Sequence, residues 1–138
     1  MRGERMSAAE ENRRIAQHFT ELFYAEKNPY RAVELYVDPD YIEHNQHAAP
    51  DSTGSGSERL LNYGRGLHQT KPHVQFDVRR IIADEHTVVV HGTYLIDGPT
   101  GEAVAVASLY RLADGKLAEH WEVHETIDPL SRNPLPMV

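Results

Sequence analysis

The chain changes its hydrophobic period near its midpoint. From about residue 8 to 26 apolar residues recur at helical spacing, with Ile15, Phe19, Leu22 and Phe23 on one face. Ser7, with Glu10 three residues later, makes a capping-box pattern that predicts where this helix begins. Asn28-Pro29 ends it, and Pro29 suits the first turn of a second, short helix whose apolar face is Ala32, Val33, Tyr36 and Val37. Asp38-Pro39-Asp40 stops that helix, because the residue before a proline avoids the helical region. Tyr41 to Asn45 reads as a short extended piece. Residues 48–57, rich in Pro, Ser and Gly, read as a loop. A third helix is expected from about Ser57 to Gln69, with Leu60, Leu61 and Leu67 inward and Gly64 and Gly66 weakening it.

Beyond residue 70 the period falls to two. Val74 to Val78 alternates strictly, Thr87 to Ile96 is β-branched and aromatic, and Glu102 to Leu112 and Lys116 to Glu125 follow as strands. Asp97 to Gly101 is turn chemistry, and Asp114-Gly115 is a strong hairpin signal. Four strands joined by short turns predict an antiparallel meander. Helices first and then a sheet is the α+β layout, with the helical stripes buried on one sheet face. One domain is expected over residues 1–127. Residues 128–138, which carry three prolines, are expected to form an irregular tail.

Composition narrows the function classes. A chain of 138 residues fits one domain, and at this size roughly two thirds of the unfolded surface is buried. There is no cysteine, hence no disulfide framework, thiolate metal site or cysteine nucleophile. The net charge of −7, from 14 basic and 21 acidic residues, disfavours nucleic acid and anionic lipid as partners. The first residues have no apolar core of signal-peptide type, and no run approaches the ~18 apolar residues of a membrane span, so the default location is cytoplasmic. No P-loop, dinucleotide fingerprint, nucleophile elbow or His-Glu-x-x-His motif occurs, and no cofactor is expected. Nine histidines point to acid/base chemistry. His44, His47, His91 and His120 have no recognised ligand spacing, so no metal is expected either.

Two segments carry a resemblance. One is Tyr41-Ile42-Glu43-His44-Asn45-Gln46-His47, after the Asp-Pro-Asp stop. The other runs from Ala105 to Val123 and includes Asp114-Gly115-Lys116 and Glu119-His120-Trp121. In order and spacing, from about residue 12 to 126, the chain resembles SnoaL-like proteins of the nuclear transport factor 2-like superfamily, in the group often described as aldol-condensation enzymes. The resemblance implies a cone-shaped barrel of helices on a curved, cystatin-like sheet around a pocket, and frequent dimerisation through the sheet. It implies a small, largely apolar carbonyl compound as ligand and chemistry of cyclase, isomerase or dehydratase type. Its cyclases use an acidic residue on a pocket-facing strand. In the nearest group an aspartate stands where this chain has Ser108, and a pocket histidine stands where it has Thr93. Serine forms hydrogen bonds but is no carboxylate base.

Removing a proton beside a carbonyl needs a base, and holding the enolate oxygen needs a donor. Histidine suits the first role, since its unperturbed pKa is about 6.5. His44, at the end of the extended piece, and His91, on the second strand, are the candidate bases. A loop histidine that caps a strand end, and a sheet face covered by a partner, are the plainer readings of the two. Alternation puts His91 with Val89 and Thr93, the more polar face, expected to line the pocket. Ser108 shares a face with Val106 and Tyr110. On the last strand Glu119 and Trp121 are taken inward. His120, Glu122 and His124 then form an outer face, a carboxylate between two imidazoles. Asn45, Thr93, Ser108, Tyr110, Glu119 and Trp121 are the expected substrate contacts. His18, His68, His73 and His86 read as ordinary surface or helix histidines. The rival reading is a non-catalytic binding domain or a dimerising accessory domain. Two or more titratable side chains converging in the pocket would favour catalysis.

Overall fold

Each α-helix of the computed structural model, which describes residues 5–45 and 54–138, begins on a side-chain cap. Most of the loop expected at 48–57 lies outside the described residues. Helix α1 (Ala8–Thr20) starts on Ser7 and Glu10, with both reciprocal capping-box bonds made. It runs on into a π-helical turn, Glu21–Ala25. There the Phe23 carbonyl takes a partner from another helix, His68, whose Nε2 donates to it at 2.6 Å. His68 is therefore a packing contact, where the sequence read as an ordinary helix histidine. Helix α2 (Pro29–Tyr36) is capped by the Asn28 side chain, with Pro29 in the first turn. Helix α3 (Gly56–Thr70) starts on a second capping box, Ser55 and Glu58.

The sheet has five strands: β1 (Val37–Glu43), β2 (Gln75–Ala83), β3 (Thr87–Leu95), β4 (Ala103–Ala113) and β5 (Lys116–Thr126), in the order β1-β5-β4-β3-β2. Strands β2 to β5 form the expected antiparallel meander. Asp114 and Gly115 turn between β4 and β5 with φ of 51° and 74°, the positive values that a tight hairpin of this hand requires. Strand β1 corrects the four-strand expectation, because Asp38-Pro39-Asp40 ends α2 but does not end regular structure. Residues 37–43 pair parallel with β5, and the pairing is interrupted between Val37 and Ile42. A proline has no N–H to give a ladder, so an irregular edge strand is where it is tolerated.

Two bulges bend the sheet. One lies on β2 between Val78 and Arg80. The other leaves Ala118 of β5 unmatched, since Leu112 faces Leu117 and Arg111 faces Glu119. The helices fill the concave face with one core that includes Phe19, Phe23, Val33, Val88, Val90, Tyr110 and Leu117. Asn12, buried in α1, donates to the carbonyls of Asp84 and Glu85 at 3.1 and 3.0 Å and ties the helix to the β2–β3 turn. On β3 the buried residues are Val88, Val90 and Gly92. His91 and Thr93 therefore face outward, against the expectation that the polar set lines the pocket. Helix α1 packs on β2 and β3, so this stretch of the concave face must be apolar. Residues 127–138 form neither helix nor strand.

The two mid-helix glycines of α3, Gly64 and Gly66, serve different ends. Gly64 is buried, and a Cβ there would stand 2.6 Å from Phe23 Cζ and 2.7 Å from Pro29 Cβ, whereas one on Gly66 would meet nothing within 4 Å. Gly64→Ala is expected to destabilise by about 1–3 kcal/mol, overpacking outweighing a helix-propensity gain of about 1 kcal/mol. Gly66→Ala is expected to stabilise by up to about 1 kcal/mol. Urea unfolding of both variants checks the pair, and shifts of the same sign would refute this account of the helix crossing.

Candidate active site

A cavity of about 730 Å³ opens between α3 and the π turn on one side and β1, β4 and β5 on the other. Phe19, Phe23, Leu60 and Leu67 give it an apolar body, and Glu43, Asn45, Arg59, Tyr63, His120 and Glu122 its polar groups.

Glu43 and His120 are register partners on the parallel strands β1 and β5, so their side chains leave the sheet on the same side. His120 Nδ1 lies 2.6 Å from Glu43 Oε2. The same carboxylate accepts from the Tyr41 hydroxyl at 2.9 Å and from the Asn45 backbone N–H at 3.0 Å. Burial pushes the Glu43 carboxyl up, but the hydrogen bond and attraction of His120, then the Asn45 and Tyr41 donors, hold it below the ordinary carboxylate range. An ionised carboxylate only accepts, so His120 Nδ1 carries a hydrogen, and in the neutral ring the lone pair is then on Nε2. His120 is buried, Tyr110 stacks on its ring at a centroid distance of 4.5 Å, and Nε2 has no hydrogen-bond partner among the described residues.

A second carboxylate follows two residues on. Glu122 accepts from Asn45 Nδ2 at 3.0 Å and from Ser108 Oγ at 3.4 Å, and His124 Nδ1 lies 3.2 Å away. Ser108 is its register partner on β4. The surrounding phenols of Tyr24, Tyr41, Tyr63, Tyr94 and Tyr110 are pushed up in pKa, first of all by burial, which keeps them neutral donors at physiological pH.

Of the residues singled out in the sequence, Asn45 and Tyr110 line the cavity, and Ser108 is buried behind Glu122. His44, Glu119 and Trp121 lie on the opposite, convex face, which corrects their expected inward placement. There His44 Nε2 meets Glu119 Oε2 at 2.7 Å and the His44 ring stacks on Trp121 at 5.0 Å and 3°. Arg111 donates to the other Glu119 oxygen at 2.9 Å. The hydrogen bonds from His44 and Arg111 hold Glu119 below the ordinary carboxylate range. His91 accepts from Arg80 at 2.6 Å on the same convex face, and Thr93 follows it there. Neither expected base reaches the cavity. On β5 the cause is the bulge: counted from the buried Leu117, strict alternation turns Glu119 and Trp121 inward, and the extra residue Ala118 reverses the phase.

The cavity residues that the sequence did not single out include Glu43, Arg59 and Tyr63, and His120 and Glu122, assigned to the outer face, turn inward instead. Glu43 and His120 stand inside the two segments that carry the family resemblance, beside the residues given the roles. Only their pairing across β1 and β5 distinguishes them. Among the described residues no group of three or more His, Cys, Asp or Glu side chains converges as a metal site, and no helix is long and apolar enough to cross a membrane. His47 lies outside the described residues.

The depressed Glu43 pKa sets a sign. A carboxyl more acidic in the folded than in the unfolded state stabilises the fold above its ordinary pKa, and that contribution is lost as pH falls through the folded value. The stability difference between the wild type and Glu43→Gln is therefore expected to be largest near neutrality and to shrink as the pH falls below 4.5. Urea unfolding across a pH series measures it. A difference that grows on acidification would contradict the assignment.

A family model described as a SnoaL-like domain matches residues 15–120. Among solved structures, an NTF2-like protein of unknown function from Mesorhizobium loti is 20% identical, covering 88% of this chain and 97% of its own, with a TM-score of 0.70. IdmH from Streptomyces antibioticus, described as a candidate polyketide cyclase, is 17% identical over 83% of this chain and 91% of its own, with a TM-score of 0.66. A candidate ketosteroid isomerase from Kribbella flavida is 16% identical over 96% of this chain and 87% of its own, with a TM-score of 0.68. At such identities the likeness is one of fold. No curated protein matches the chain. Helices packed on a curved mixed sheet, together with a family match over most of the length, make this chain a member of the SnoaL-like domain family with an NTF2-like α+β fold.

Proposed function

We propose that the protein is a cofactor-independent acid/base enzyme of cyclase, isomerase or dehydratase type, acting on a small, largely apolar carbonyl compound. The observation that carries this reading is the Glu43–His120 pair: a carboxylate orients an imidazole whose other nitrogen is buried, has no partner among the described residues and belongs to a cavity-lining residue. A buried polar atom without a partner costs free energy, and a bound ligand relieves it. His120 Nε2 takes a proton from the carbon beside the carbonyl, the C–H electron pair passes into an enolate, and Glu43 stabilises the imidazolium that forms. Asn45, on the same wall, is the donor for the enolate oxygen. Glu122 stands directly across from Ser108, so the acidic group that the family resemblance places at 108 has a counterpart one strand away. Three titratable side chains, Glu43, His120 and Glu122, converge on the cavity, which favours catalysis over binding alone.

We also propose that the chain works as a homodimer through its convex face. Ile82, Val89, Leu109 and Trp121 are successive register partners across β2, β3, β4 and β5, an apolar row over the width of the meander. Ile82 is 61% exposed, Trp121 38% and Val123, beside the row, 69%. Apolar positions gathered in this way on one face mark an interaction surface.

Solvent deuterium exchange of the α-protons of benzylacetone, followed by NMR, tests the chemistry. The wild type is expected to accelerate exchange, His120→Gln to lose about 100-fold or more, and Glu43→Gln to fall between them. His44→Ala and His91→Ala are expected to retain it. Exchange in the wild type no faster than in buffer, or undiminished in His120→Gln, would remove the mechanism. For the assembly, light scattering is expected to give twice the chain mass for the wild type and the single mass for the Ile82→Lys/Val123→Lys double variant. A monomeric wild type at high concentration would sink the dimer.

A further inference from the structure

The helical wall of the cavity is a face of α3 running from Gly56 to Thr70, on which Arg59, Asn62, Tyr63 and Thr70 are the polar groups and Leu60 and Leu67 the apolar ones. Its charged and amide groups, Arg59 and Asn62, stand beside Leu60 in the N-terminal half of the helix, and Leu67 and Thr70 follow. Arg59 is the only Lys or Arg among the described lining residues.

Three of the described arginines have a carboxylate partner, and Arg59 is not one of them. Arg14 pairs with Glu11, Arg31 with Glu34 and Arg111 with Glu119. The positions three and four residues either side of Arg59 are Ser55, Gly56, Asn62 and Tyr63, none of them acidic. The neighbouring Glu58 is committed to the capping box. The two cavity carboxylates are engaged on the sheet wall, Glu43 by His120, Tyr41 and Asn45, and Glu122 by Asn45, Ser108 and His124. Among the described residues Arg59 makes no ion pair, in a chain with 21 acidic and 14 basic residues.

We infer that Arg59, with Asn62 one turn further along the same face, is a subsite for a carboxylate carried by the ligand at a distance from its reacting carbonyl. A guanidinium presents a planar fork that matches a carboxylate in bidentate fashion, and an amide N–H beside it adds a third donor. The sheet wall, with Glu43 and Glu122, repels an anion, so the acid end belongs at the helical wall and the neutral carbonyl end at His120. The ligand class is an amphipathic keto acid: apolar body, ketone at one end, carboxylate at the other. This rests on the reading of His120 as the base.

Isothermal titration with γ-benzoylbutyrate, an aryl ketone bearing a remote carboxylate, and with its methyl ester tests the subsite. The wild type is expected to bind the acid about tenfold or more tighter than the ester, as a charge-assisted contact requires. Arg59→Gln is expected to bring the acid down to the affinity of the ester. His120→Gln is expected to keep the preference, because it alters the carbonyl end alone. Equal affinity for acid and ester in the wild type overturns the inference. So does a preference that survives Arg59→Gln, or no detectable binding of the acid at millimolar concentration. A failure of the base reading shows separately, as unaccelerated α-proton exchange with the acid preference intact.

Discussion

The parallel pairing of β1 along β5 is the constraint on which the candidate site depends. It sets Glu43 opposite His120, turns both into the cavity and sends His44 to the other face. The edge is held from several sides. Lys116 Nζ donates to the Leu35 carbonyl at 2.6 Å where β5 begins. The His44 N–H donates to the His120 carbonyl at 2.9 Å just past the end of β1. Helix α3 closes on β1 at Gly56, where a Cβ would stand only 1.7 Å from the Tyr41 carbonyl oxygen, so no side chain is tolerated at that contact.

Placing two carboxylates beside an imidazole in a partly closed cavity is unfavourable unless each charge is met. Glu43 solves this with three donors of different kinds: an imidazole, a phenol and a backbone N–H. Two imidazole nitrogens are left over in the described interior, His68 Nδ1 and His120 Nε2. The first belongs to a residue whose other nitrogen serves the Phe23 carbonyl at the π turn, a packing duty. The second belongs to the residue that lines the cavity. The same type of side chain thus packs against a helix on one wall and leaves a nitrogen unpaired among the described residues on the other.

The convex face shows how much a single inserted residue decides. Without the bulge at Ala118, the face of β5 that carries His120 and Glu122 would exchange places with the face that carries Glu119 and Trp121. The outer cluster of His44, Glu119, Trp121 and Arg111 would then sit against the helices, and the Glu43–His120 contact would not form. Such a reversal leaves little trace in the sequence, since Leu117-Ala118 reads as two ordinary apolar residues.

Local chemistry was enough for much of the fold. The Ser7 and Glu10 capping box, Asn28-Pro29, the alternation after residue 74 and the Asp114-Gly115 turn act through neighbours a few residues apart, so the sequence by itself determined three helices, the meander and the α+β class. It also put Asn45, Tyr110 and Ser108 on the cavity, where the structure has the first two and sets Ser108 behind Glu122. Only the tertiary structure decided which histidine meets which carboxylate. Glu43 and His120 are 77 residues apart, and their contact needs an edge strand interrupted by a proline and a phase reversed by a bulge. Periodicity reports the character of a face but not its partner, because pairing between distant strands is set by global packing rather than by the residues alongside.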